Sequence, residues 1–325
     1  MARKKKGRAL SGVLLLDKPQ GMTSNFALQK VRRLFGAQKA GHTGSLDPLA
    51  TGVLPICFGE ATKFSKYLLD ADKGYFTTAT LGEVRDTGDS DGQMVSQCPV
   101  PELSEVELLA IFSQFSGDIL QVPSMYSALK HKGRPLYEYA RKGITIERPA
   151  RPVSIMRLEM TDKRTDCLDL TVECTKGTYI RSLVEDIGQS IGCGAHVSML
   201  RRFKAGHFSL TDAVTMAQIE ASEGDDVGLD SFLLPVDCLL PDFPQITVNN
   251  ALGESLLHGQ AVRIPAFEKA GLNKLYISLN GSAAVGNSDS DETSRFSGMV
   301  EVLDDGTVQP KRLVNFEPAC QADIE

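Results

Sequence analysis

The chain has no tryptophan, and aromatic residues make up only 6% of its 325 positions. Hydrophobic residues nevertheless reach 42%, enough for a sizeable buried core in about two domains. Cysteine occurs seven times, at positions 57, 98, 167, 174, 193, 238 and 320, an odd number with no C-x-x-C spacing. That argues against a disulfide framework or a zinc knuckle and favours reduced thiols. The five histidines, at 42, 131, 196, 207 and 258, form no H-E-x-x-H or similar pattern, so no metal is expected. G-x-G-x-x-G, the P-loop and G-x-S-x-G are all absent, which leaves nucleotide cofactors and a serine nucleophile elbow without support. The longest early apolar run, 13–16, is far too short to cross a bilayer. Arg3, Lys4, Lys5, Lys6 and Arg8 are followed by no apolar h-region, so a signal peptide is not expected and the cytoplasm is the expected compartment.

Periodicity supplies the elements. Residues 13–16, 54–58 and 75–81 read as strands. Ser24 is placed to cap a helix carrying Leu28, Val31, Leu34 and Phe35, and Gly36 to end it. Ser104 and Glu107 form a capping box before a helix that Gly117 stops. Residues 168–175 alternate as a half-buried strand, and Ile180, Leu183, Val184, Ile187 and Ile191 recur at helical spacing. Strands and helices mix without a regular βαβ period, so the fold class is α+β with a mixed, mainly antiparallel sheet. A basic flexible tail over 1–11, a mixed domain of strands and helices over 12–240 and a small β-barrel-like domain over 245–325 are expected. In the last of these, Asp305 and Gly306 turn a hairpin and 286–297 forms a polar loop.

The net charge of −6 is unevenly spread. Residues 1–212 hold 29 Lys and Arg against 23 Asp and Glu, whereas 213–325 hold 6 against 18. Within 123–152, Lys130, Lys132, Arg134, Arg141, Lys142, Arg148 and Arg151 are interleaved with Tyr126, Tyr137 and Tyr139. Such a segment suits a polyanion clamp, or else is a solvated surface loop.

The stretch Gly41-His-Thr-Gly-Ser-Leu-Asp-Pro-Leu-Ala-Thr-Gly52 fixes a tight backbone around one carboxylate, Asp47. A poorly solvated carboxylate on a rigid loop can act as nucleophile or base, while an Asp-Pro pair can equally be a plain turn. The acidic stretch 83–92 fails the EF-hand template, because position one would be Thr87 and position twelve Cys98.

Five segments then occur in order. They are Lys18-Pro-Gln-Gly-Met-Thr-Ser24, the 41–52 stretch, Pro123-Ser-Met-Tyr-Ser-Ala-Leu-Lys130, Lys176-Gly-Thr-Tyr-Ile-Arg-Ser182 and Gly194-Ala-His-Val-Ser-Met-Leu-Arg-Arg202. Together they closely resemble the bacterial tRNA pseudouridine-55 synthase family. The resemblance implies isomerisation of uridine to pseudouridine in the tRNA T-loop, without cofactor or metal. It implies Asp47 as nucleophile, with attack at C6 of the base or C1′ of the sugar left open. It places His42 where the flipped-out uridine stood, Tyr75 on the flipped base, Tyr179 and Leu200 in the pocket and Arg181 beside Asp47. The basic 123–152 stretch, with Lys130, Lys132, Arg134 and Arg141, corresponds to an RNA-gripping insertion, and 245–325 to an RNA-binding domain of PUA type. The expected partner is tRNA, bound by a monomer with no membrane association. Two other roles are compatible with these residues: a tRNA-folding chaperone independent of catalysis, and a guide-RNA-dependent subunit.

Overall fold

The structure is a computed structural model and describes residues 7–264, 270–278 and 294–315. Its centre is a ten-stranded mixed sheet. Eight strands run in the order Val214–Thr215, Gly12–Lys18, Thr51–Phe58, Ala195–Ala205, Lys73–Leu81, Cys167–Cys174, Arg151–Lys163 and Gly117–Gln121. Most neighbours are antiparallel. Ala195–Ala205 lies parallel to Thr51–Phe58 through the pairs Arg201 with Thr51 and Arg202 with Gly52. The expected α+β class with a mixed sheet is what forms.

The period-two alternation of strands Gly12–Lys18 and Thr51–Phe58 gives the sheet two different cores. Leu14, Leu16, Leu54 and Ile56 point to one face, where helices Ser24–Leu34, Glu105–Ser113 and Ile180–Ile191 lay down Val31, Leu108, Leu183 and Ile187. Val13, Leu15, Val53 and Cys57 point to the other face, against Phe64, Phe208 and Leu240. Met299 and Val314 of the C-terminal part join that second core. The Phe64 and Phe296 rings meet edge-on at 5.6 Å, and the Lys63 amine donates to the Leu313 carbonyl at 3.0 Å. The C-terminal part is a curled five-stranded half-barrel in the order Gln245–Val248, Gly271–Ser278, Ser294–Val302, Thr307–Leu313 and Val262–Arg263. Its Asp305–Gly306 hairpin turn is as expected.

Several local expectations shift. Of the tail 1–11, residues 1–6 lie outside the described residues, and Arg8 is held against the body by Asp226 and Asp230. Of the polar loop 286–297, residues 286–293 lie outside the described residues, and 294–297 belong to strand Ser294–Val302. The Ser24 helix is capped one residue earlier, where the Thr23 side chain accepts from the Phe26 amide, which frees the Ser24 hydroxyl for another task. The helix capped by Ser104 and Glu107 forms as read, but it ends at Ser113, and Gly117 opens a strand instead. Within the basic stretch 123–152, a hairpin of Lys130–His131 and Arg134–Pro135 precedes the short helix Leu136–Ala140. The stretch ends in the sheet, where Arg151 pairs with Gln121.

Candidate active site

Asp47 sits on the loop joining strands Ala40–His42 and Thr51–Phe58. The loop is fixed from both ends. Gly52 has φ +102°, and a Cβ there would lie 2.2 Å from the Arg202 carbonyl oxygen, so only glycine allows that close strand approach. In the loop itself, the Leu46 amide donates to Ser24 Oγ at 2.7 Å, and Ser24 Oγ donates back to the Leu46 carbonyl at 3.0 Å. The Gly21 amide donates to the Pro48 carbonyl at 2.8 Å. The segment 18–24 is thus a buttress under the 41–52 loop. Asp47 is also a turn residue, since its carbonyl accepts from the Ala50 amide at 3.1 Å. The turn uses only its backbone, and its side chain remains 41% exposed toward a cavity.

Arg181, on the first turn of helix Ile180–Ile191, is 5% exposed, and one guanidinium nitrogen lies 3.0 Å from the Asp47 carboxylate. That nitrogen also donates to the Tyr126 carbonyl at 2.8 Å. The other terminal nitrogen donates to the Thr87 carbonyl at 2.7 Å and lies 3.4 Å from the Asp89 carboxylate. A planar fork with four acceptors around it has one orientation. The acidic stretch 83–92, which fails as a metal loop, supplies two of the four. Burial pushes the Asp47 pKa above the usual carboxylate range; Arg181 and Lys18 pull it back and Asp89 adds to the rise. Arg181 therefore offsets the desolvation of Asp47 rather than overriding it.

Asp47 and Arg181 form a common wall between two cavities. The inner one, about 330 Å³, is lined by Tyr75, Tyr179, Leu200 and Arg202. The outer one, about 660 Å³, is lined by His42, Thr23, Tyr137 and Arg141. Both volumes fall in the range of small-molecule sites. Tyr179 is held by Gln121, whose amide oxygen accepts from the Tyr179 N–H at 2.8 Å and whose amide nitrogen donates to its carbonyl at 3.1 Å. Burial and the nearby Arg202 charge lower the His42 pKa, which keeps the ring neutral at pH 7. The structure thus brings Asp47, Arg181, Tyr75, Tyr179, Leu200, His42 and Arg141 together. Lys130, Lys132 and Arg134 stand apart, exposed on the hairpin, and none enters an ion pair among the described residues.

Two family models match adjacent parts of the chain. Residues 32–180 match the TruB family pseudouridylate synthase N-terminal domain, and residues 181–241 match the tRNA pseudouridylate synthase B C-terminal domain. The chain belongs to the TruB family. A tRNA pseudouridine synthase B from Shewanella sp. (strain MR-4) is 48% identical over 99% of this chain and 100% of its own. The protein of that name from Ectopseudomonas mendocina (strain ymp) is 51% identical over 94% of this chain and 96% of its own. A crystal structure of a Cbf5–Nop10–Gar1 complex superposes with a TM-score of 0.65 at 22% identity, covering 93% of this chain and 84% of that one, a likeness of fold.

Four residues of this TruB-family site carry roles there that the sequence does not reveal. Lys18 is completely buried, donates to the Pro19 and Met22 carbonyls at 2.9 and 2.7 Å, and has its pKa lowered to about 8 by burial. Arg202, 1% exposed, donates to the Val53 carbonyl at 2.7 Å and stands beside the Tyr75 hydroxyl. Ser24 and Asp89 complete the set. Gly74 permits a close approach: a Cβ there would lie 2.5 Å from the Phe203 ring, which stacks on Phe76 at 4.4 Å. Lys18, Ser24 and Arg202 lie in the segments 18–24 and 194–202, and Lys18 is also a charged residue at the end of the apolar run 13–16.

Proposed function

We propose that this chain converts uridine 55 of the tRNA T-loop to pseudouridine, with Asp47 as the nucleophile. The observation that carries the reading is the Asp47 carboxylate, 3.0 Å from a buried arginine, on a pinned loop that lines two cavities. The uridine leaves its stack and enters the inner cavity, because its reacting atoms are inaccessible inside folded tRNA. Tyr75 stacks on the base, Leu200 closes the pocket and Tyr179 lines its far side. His42, a neutral flat ring in the outer cavity, occupies the vacated position. The Asp47 carboxylate attacks C6 of the base or C1′ of the ribose, and the bond from N1 to C1′ breaks. The base turns, C5 joins C1′, the bond to Asp47 breaks, N1 takes up a proton, and the C5 proton is lost to solvent. Partial desolvation favours this role, since a carboxylate that has lost part of its hydration is a stronger nucleophile. The exposed Lys130, Lys132 and Arg134 hairpin grips phosphates, and Arg141 does so beside Tyr137. The chain acts as a cytoplasmic monomer, and the half-barrel serves as a PUA-type RNA-binding domain.

The test is Asp47→Asn. Tritium release from C5-labelled uridine in unmodified tRNA is expected to fall below detection, with tRNA affinity nearly unchanged. Full release by this variant would remove Asp47 from the mechanism.

A further inference from the structure

The segment 124–128 belongs to the basic insertion, yet its backbone reaches the centre of the site. The Tyr126 carbonyl takes one of the two hydrogen bonds that Arg181 makes with its terminal nitrogens, and the same nitrogen faces Asp47. The position of that carbonyl is fixed by its own residue. The Tyr126 hydroxyl donates to Asp86 Oδ2 at 3.2 Å, and the Tyr126 amide donates to Ser124 Oγ at 3.1 Å. Asp86 is anchored in turn, because its Oδ1 accepts from the Gln93 amide at 2.8 Å. Burial and the Asp86 charge raise the Tyr126 pKa, so the hydroxyl stays a donor across the working range. Asp86 opens the same turn whose Thr87 carbonyl and Asp89 carboxylate hold the opposite nitrogen of Arg181. The guanidinium is therefore gripped between two chain segments, and the Tyr126–Asp86 hydrogen bond is the only side-chain link between them among the described residues.

We propose that Tyr126 and Asp86 are a positioning pair for the reaction, a joint through which the RNA-gripping insertion sets the orientation of Arg181 against Asp47. The pair closes the Arg181 grip from outside, so its loss leaves the guanidinium one fixed acceptor short. Arg181 then holds the Asp47 charge less well, although both residues are still present. This inference rests on the reading of Asp47 as the reacting group.

Tyr126→Phe removes only the hydroxyl and keeps the ring against both cavities. The expected result is a three- to tenfold fall in the single-turnover rate with the tRNA Kd unchanged, the size of one hydrogen bond. The acid limb of the rate profile should move to higher pH, since Arg181 lowers the Asp47 pKa. Asp86→Ala should reproduce the loss, and the double variant should be no slower than either single one. Asp86→Asn should restore the rate, because its amide can serve both the Gln93 N–H and the Tyr126 hydroxyl. A rate within 1.5-fold of the parent, losses that multiply in the double variant, or a fall confined to Kd would each overturn the joint. Asp47→Asn is run alongside. An active Asp47→Asn would remove the underlying reading, whereas an inactive one with a normal Tyr126→Phe would reject only the joint.

Discussion

Replacing Ser24 by alanine tests the buttress without touching a reacting atom. Ser24 is 3% exposed, and its hydroxyl serves both the N–H and the carbonyl of Leu46, the residue before Asp47. Alanine leaves both backbone groups buried without their partner. Each such group costs about 1–3 kcal/mol, and some relaxation is available, so the loss of stability should be about 2–4 kcal/mol. For a domain of this size each kcal/mol lowers Tm by roughly 2–4 °C, which predicts a fall of roughly 4–16 °C. Urea unfolding gives the free energy and a thermal melt gives Tm. Single-turnover tritium release should slow more than tRNA binding weakens, because the loop carries Asp47 and not the basic hairpin proposed to grip phosphates. A variant with unchanged Tm and unchanged rate would refute the claim that segment 18–24 holds the loop.

Lys18 supplies a pH test. Its folded pKa, near 8, lies below the unfolded lysine value of 10.5, so the folded state releases its proton first. The cost of burying the charge is fully present below pH 8 and fades between 8 and 10.5. Wild type should therefore gain stability relative to Lys18→Met between about pH 7.5 and 9.5, since a neutral amine still donates to Pro19 and Met22. A constant difference in urea melts at the two pH values would contradict this. Neutralising Lys130, Lys132 and Arg134 together should weaken tRNA binding and flatten its salt dependence. The slope should fall by about 2, at roughly 0.7–0.9 for each phosphate that is no longer neutralised. An unchanged slope in filter-binding titrations would place the phosphate grip on another surface.

Where one local pattern decides the outcome, sequence and structure agree. The capping box at Ser104 and Glu107, the alternation over 168–175 and the helix starting at Ile180 are of this kind. Disagreement arises where two neighbouring residues could do the same job. Thr23 and Ser24 are both competent caps, and only the Asp47 loop, packed alongside, gives the cap to Thr23 and the buried bonds to Ser24. Strand Arg151–Lys163 escaped notice because its outer positions are charged and its inner ones vary. The cross-strand ion pair of Arg157 with Glu173, at 3.6 Å, forms only once the strands align. Asp47, His42 and Arg181 stood out through their motifs. Arg202 did not, because a fully buried guanidinium reads in sequence like any surface arginine. Its site exists only where Thr51–Phe58 and Ala195–Ala205 run side by side.

The uneven charge of the chain has a consequence for how RNA arrives. Residues 1–212 carry +6 and residues 213–325 carry −12, so the first part attracts a polyanion that the second repels. The exposed Lys130, Lys132 and Arg134 hairpin belongs to the attracting part. An approaching tRNA is biased toward that part before any contact is made, and the bias fades as added salt shortens the reach of the field.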